Sequence, residues 1–559
     1  MQLLTTLLAL LVSLIPGPIT ITTPPPLTAL DSARHALNRL AYGATPGLAD
    51  EVARQGVMKW IDHQLDAKPG RDPALEAPEK AFAVLETSPE KLAHDYAEAL
   101  REARMAKRAA SDSTPMTETG KAARAGLRGI RQVAGQIQEL VVVRGAVADQ
   151  QLFEIMADFW TNHFNVFYGK NLDRAYLPGY IETTIRPHVL GRFDDLLIAT
   201  AESPAMLVYL DNALSVAPGS EPPRPNRNLS PRNRGRSRPG RMPAGGFRAP
   251  DPARMDSLTK LARTRRPSGI NENYARELME LHTLGVDGGY TQQDVVNVAR
   301  ILTGWSVARP LDGGEFEFHD WAHDRGEKVV LGTRFRAGKG RDEGVKLLKL
   351  LANHPSTMHF VSTKLCARFV NDAAPDGCTD DAVRAWKQTG GNIKEVLRAI
   401  FHGPDFWAPA NVAAKIKTPL EFVVSAVRAL GGAPDSTLAL AQQVGRLGQP
   451  LYLQSAPTGY PESQAEWVNS GALLNRMNFA LALAGGRLRG VTADLDRITP
   501  ATADPEQLIE AVDRAVLGGR MSPNTRAVIH REIADIHDPV RARALAFGLA
   551  LGGPEFQRQ

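Results

Sequence analysis

The chain predicts a mainly α fold: one large single or bilobed helical domain, a minor β-hairpin near 315–335, and a disordered insertion. Three observations carry that expectation. Apolar residues recur at three- and four-residue spacing through most of the sequence. Helix stop signals follow those runs, as at Gly403-Pro404 and Gly553-Pro554. Strand-like alternation is confined to Phe316-Glu317-Phe318 and the β-branched run Val329-Val330-Leu331. With 559 residues the chain is long enough for a large core, and 43% hydrophobic and 23% charged residues are the balance of a soluble globular protein.

Taken in order, residues 2–15 form an apolar run ended by Pro16-Gly17, with the length of a signal-peptide core. Residues 1–23 are therefore expected to be a signal peptide and the product to be exported, periplasmic or extracellular. An uncleaved N-terminal membrane anchor is the alternative, because no Lys or Arg precedes the run and no Ala-x-Ala site follows it. No later stretch is apolar for long enough to cross a bilayer, so no transmembrane span is expected in the mature chain, 24–559. Helices are expected at 32–40 with Asp31 as cap, 45–56, 57–65, 89–108, 121–143 and 149–163. Shorter pieces follow at 180–185, 193–201 and 204–210. Residues 217–252 are rich in Pro, Arg, Asn and Gly. They cannot bury enough apolar surface to fold and are expected to be a disordered insert, dispensable for folding.

The most organised stretch is 269–305. A helix over 271–284 ends at Gly285, a residue that enters the left-handed conformation without strain. Thr291 and Asp294 have capping-box spacing for the next helix. On the first helix, Tyr274, Ala275, Leu278, Leu281 and His282 share one face, and Glu272, Arg276 and Glu280 stack opposite. His282 is therefore expected to be buried. The hairpin follows, with the polar loop 319–328 between its strands. Helices fill the rest: 341–353, 356–371, 380–389, 393–402, 419–430, 437–447, 466–484, 505–517, 522–536 and 540–551.

The same residues carry a resemblance. Asn271-Glu-Asn-Tyr-Ala-Arg-Glu-Leu-Met-Glu-Leu-His282, followed by Gly288-Gly-Tyr-Thr-Gln292, resembles the signature of the DUF1800 family. The likeness extends in order through Leu37-Asn-Arg-Leu-Ala-Tyr-Gly43, Phe159-Trp-Thr-Asn-His-Phe164, Arg186-Pro-His-Val-Leu-Gly-Arg-Phe193 and Ser203-Pro-Ala-Met-Leu-Val-Tyr-Leu-Asp-Asn212. It continues in Leu302-Thr-Gly-Trp305, His323-Asp-Arg-Gly-Glu-Lys328 and Gly553-Pro-Glu-Phe-Gln557. The resemblance brings no agreed activity with it. It implies joint work with a DUF1501 protein, since the two kinds of protein are often encoded together.

Motifs for common chemistries are absent. There is no His-Glu-x-x-His, Walker loop, Gly-x-Ser-x-Gly elbow or Cys-x-x-Cys. Cys366 and Cys378 either pair in an oxidising compartment or leave Cys366 as a buried thiol. What remains is a constellation of His163, His188, Asp211, Glu272, Arg276, Glu280, His282, His323 and Asp324. If the fold gathers them, a carboxylate beside a buried histidine can do acid–base work, or three of them can hold a divalent metal. Each also has a structural reading as core edge, helix end or turn. The expectation is one cleft, with His323 and Asp324 at its rim, serving hydrolysis or another acid–base reaction on an extracellular polymer. The competing reading is a non-catalytic envelope scaffold or partner protein. Specific nucleic-acid binding is not expected, because the helix 294–302 carries one Arg among apolar residues.

Overall fold

The computed structural model describes residues 27–109, 118–170, 172–222, 269–310, 313–502 and 504–559. The expected signal peptide and nearly all of the expected insert lie outside the described residues. The insert's first positions are an exception. Ala217 is buried, and its backbone N–H bonds to Ala322 O.

Helices dominate, joined by small antiparallel ladders. One hydrophobic cluster runs from Ala36 to Phe556, which is what a chain of this length needs to offset its ordering entropy. Its centre is the helix Gln151–His163, where Leu152, Phe153, Met156, Phe159 and Trp160 are buried. Trp160 donates from Nε1 to Val189 O at 3.0 Å, so its one polar atom is satisfied inside the core. On this helix Gln151, Glu154, Asp158 and Thr161 recur at three- and four-residue spacing. They therefore form a polar stripe down an otherwise apolar element. Gln151, Glu154 and Thr161 are buried and each has a partner, whereas Asp158 is half-buried.

The strands pair differently from the expected hairpin. β1 (Trp305–Val307) pairs with β2 (Phe316–Phe318), with Trp305 opposite Phe318. β3 (Lys328–Val330) pairs with β4 (Thr333–Phe335) across a tight turn. That turn places Leu331 at φ 49° and Gly332 at φ 73°, both left-handed, as a two-residue hairpin turn requires. The apolar run 329–331 thus ends one strand and begins a turn. A third ladder joins β5 (Ala433–Pro434) to β6 (Val491–Thr492).

Caps explain several boundaries. Thr28, not Asp31, caps the first helix, accepting from Asp31 N. The Thr291–Asp294 capping box forms as expected, and Gly285 takes φ 82°. The helix before it is α only over Glu272–Glu277 and becomes a π-turn over Leu278–Thr283. The wider turn re-aims its side chains. Met279 is buried, whereas Leu281 is only half-buried, against the expected straight-helix face. Cys366 and Cys378 form a disulfide between the helices Pro355–Phe369 and Asp376–Thr389, which decides between the two cysteine readings.

Candidate functional site

The expected constellation separates into distinct groups. His163 ends its helix 2% exposed, and His282 on the π-turn is equally buried, as its helical face implied. Lys364 Nζ lies 2.9 Å from His163 Nδ1, and an ammonium can only donate. The His163 proton is therefore on Nε2, which donates to the backbone carbonyl of His282 at 3.2 Å. Burial, then the Lys364 charge, then His282 hold His163 well below the usual imidazole range. Burial and Lys364 bring His282 down to about 3. Burial lowers Lys364 itself to about 8. Both imidazoles are neutral at pH 7 and packed among Phe164, Phe193 and Phe360.

The other expected residues do not join them. His188 Nδ1 bonds to Thr184 O on its own turn at 2.8 Å. Asp211 is exposed and pairs with Lys170 at 2.9 Å. Gln292 bridges Glu272 and Arg276, at 2.9 and 2.7 Å, and Glu280 accepts from Tyr290 at 3.4 Å. These pairs staple the 272–283 helix to the following segment.

His323 and Asp324 belong to a second buried network, not to the rim of a cleft. His323 Nδ1 donates to Thr303 O at 3.0 Å, and its Nε2 stands 3.6 Å from Glu343. Glu343 accepts from Lys328 at 2.7 Å, with both side chains essentially inaccessible. Arg300 grips Asp324 in bidentate fashion, at 2.8 and 3.1 Å, and Gly326 N adds a third bond. Burial alone would raise the Asp324 carboxyl, but these donors hold it below the usual range. His323 and Lys328 are buried with their charges matched internally, while Asp320, Arg325 and Glu327 of the same loop stay exposed. Among the described residues no three His, Cys, Asp or Glu side chains are gathered to hold a metal ion.

The polar stripe leads to a different site. Glu154 is paired with Arg186 by two bonds of 2.8 Å. One turn later, no hydrogen bond or ion pair joins the Asp158 carboxyl to a described residue. Asp158 lines a cavity of about 30 Å³, with Thr161, Arg368, Tyr452 and Glu462. Its other side faces a void of about 10 Å³ beside Glu154 and Arg186. The larger space is the size that one water molecule needs. Arg368 pairs with Glu421 and stands 3.8 Å from Glu462. Burial pushes the Asp158 carboxyl up to about 7; Arg368 opposes this, and Glu462 and Glu421 add to it. Glu421 is brought down to about 2, because Arg368 and its other donors outweigh burial.

Two backbone features build this cavity. Tyr452 has φ 59°, a strained conformation for a residue with a side chain, and it lines both voids. Asn162 clamps the 450–467 segment onto the helix, donating to Tyr460 O at 2.8 Å and accepting from Tyr460 N at 2.7 Å. Gly459 fits there because an added Cβ would lie 2.3 Å from Asn162 O. Asp158, Arg368, Tyr452 and Glu462 were not among the expected site residues. The stripe at 151, 154, 158 and 161 is the signal that marks Asp158; no local pattern marks the other three.

The arrangement supplies one carboxyl poised near neutrality, a second carboxylate on the cavity wall, and room for water between donors. A carboxyl so placed can take a proton from water or return it to a leaving group. No curated protein and no solved structure matches the chain. A family model does, over residues 35–558, under the description "Protein of unknown function (DUF1800)". The match spans nearly the whole chain, which belongs to the DUF1800 family.

Proposed function

We propose that the protein is an exported acid–base enzyme of the hydrolase type, with Asp158 as its proton-transfer group. The observation that carries this reading is the Asp158 carboxyl, held near neutral pKa beside a water-sized cavity with no hydrogen-bond partner of its own. Asp158 is half-buried at the cavity wall, and a carboxyl there with a perturbed pKa and no partner marks a site. Glu462 is the second carboxylate, and Arg368 the cation that separates the two carboxyls electrostatically. Asn162, Asn165 and Tyr460 at the same cavity donate to backbone carbonyls of the 450–460 segment, so they hold its wall in place. Export is supported by the apolar run at 2–15 and by the disulfide, since disulfides persist in oxidising compartments.

The test is a screen of the purified chain against glycoside, ester and peptide substrates, with Asp158→Asn beside it. Turnover with a pH inflection near 7, lost in the variant while melting is retained, supports the reading. Turnover in neither chain, or equal turnover in both, contradicts it. The second reading is an envelope scaffold that works alongside a DUF1501 protein; it is favoured by the internal pairing of the Lys328–Glu343 and Arg300–Asp324 groups.

A further inference from the structure

The segment 415–418 separates the Asp158 cavity from a larger one. Thr418 lines the first, and its neighbour Lys417 lines the second. The segment is fixed in place by the chain's last residues: Ile416 bridges Arg558, and Lys417 N donates to Gln557 O at 2.9 Å. The second cavity has a volume of about 450 Å³, enough for a small metabolite.

Its wall is cationic. Arg34, Arg514, Arg520 and Arg558 line it with Lys417. These arginines are weakly matched. Arg34 stands 3.9 Å from Asp31, Arg514 is 3.6 Å from Glu510, and Arg520 bonds only to a backbone carbonyl. The acids on the wall are Asp50 and Glu555, and Glu555 is occupied by Ser522 and Thr525. The wall also includes Gly47, which starts the helix Leu48–Gln55 without a side-chain cap and leaves amide hydrogens there. Lys417 is 4% exposed, and its Nζ has no hydrogen-bond partner among the described residues. It lies 3.7 Å over the Phe556 ring. Burial brings its amine down to about 7, with Arg520 and Arg476 adding to the effect against Glu421.

We propose that this cavity binds a small oxyanion, a carboxylate or phosphate group of a metabolite, and that Lys417 takes up a proton when it is filled. The arginines supply the long-range attraction and the lysine the buried contact. An arriving anion restores the favourable state of a charged ammonium, so binding and protonation are linked. The site is separate from the Asp158 cavity and stands whether or not that one is catalytic.

The experiment is titration calorimetry of the full chain at pH 8 with succinate and with inorganic phosphate, each in two buffers of different ionisation heat. Succinate does not itself titrate near pH 8, so its buffer-dependent heat reads the protein's proton uptake. Binding of either anion with uptake approaching one proton is expected; succinate alone identifies a carboxylate site, phosphate alone a phosphate site. Arg514→Ala and Arg558→Ala alter exposed side chains and should weaken binding about tenfold without lowering the melting temperature. Lys417→Gln should abolish the proton uptake. No binding of either anion, binding unaffected by the arginine changes, or binding without proton uptake overturns the proposal.

Discussion

The imidazole of His163 reaches the backbone carbonyl of His282, 3.2 Å away, and locks the end of one helix to the π-turn of another 119 residues later. Both rings are neutral in the folded chain. Unfolding returns them to the ordinary imidazole range near 6.5.

Because the folded pKa values are depressed, the unfolded chain binds more protons as pH falls below about 6.5. Stability present above that pH is lost on acidification. For His282, down at about 3, the loss between pH 6.5 and 5 is on the order of 2 kcal/mol. Urea unfolding of the wild type and His282→Gln at pH 7 and pH 5 measures it. The variant is expected to lose less on acidification; equal losses would refute the assignment.

Glu139 gives the opposite sign. It is fully buried, and burial pushes its carboxyl up to about 8. Between about 4.5 and 8 the folded chain binds the extra proton, so stability falls as pH rises. Glu139→Gln removes that cost, and its advantage should grow across this window to on the order of 3 kcal/mol at pH 7. Chemical denaturation at pH 4.5 and pH 7 reads the difference, and an advantage independent of pH would count against a protonated Glu139.

Lys328 and Glu343 are a dry ion pair with His323 beside it. Lys328→Met leaves a buried carboxylate unmatched and should cost about 3–5 kcal/mol. The double variant with Glu343→Leu should recover much of that loss. A double-mutant cycle that shows additive losses would mean the pair is not coupled.

The Cys366–Cys378 bridge closes a short loop, with a sequence separation of 12. Replacing both cysteines by serine should lower stability by about 2–3 kcal/mol. Thiol labelling of the unreduced, unfolded wild type should find no free sulfhydryl. Two reactive thiols in freshly purified protein would contradict the bridge.

Much of the fold was legible because it rests on local chemistry. The Thr291–Asp294 cap, Gly285 and the burial of His282 each depend on residues within a turn or two. The strand pairing was not, because Phe316–Phe318 takes its partner from Trp305–Val307, while Leu331-Gly332 makes a turn that its apolar side chain disguises. The candidate site was less legible still. His163 and His282 drew attention on apolar faces, yet they are neutral packing groups. Asp158 becomes unusual through burial, to which Glu462, more than 200 residues away in the chain, adds. Its position in a polar stripe was visible, but an exposed face would show the same periodicity.

The most direct test is a carboxyl titration. Carbon-13 NMR of the chain labelled at aspartate carboxyls, compared with Asp158→Asn, isolates one resonance. A resonance that titrates near pH 7, and disappears in the variant, is the predicted result. A resonance that titrates near 4, as an ordinary aspartate does, would contradict the assignment of Asp158 as the proton-transfer group.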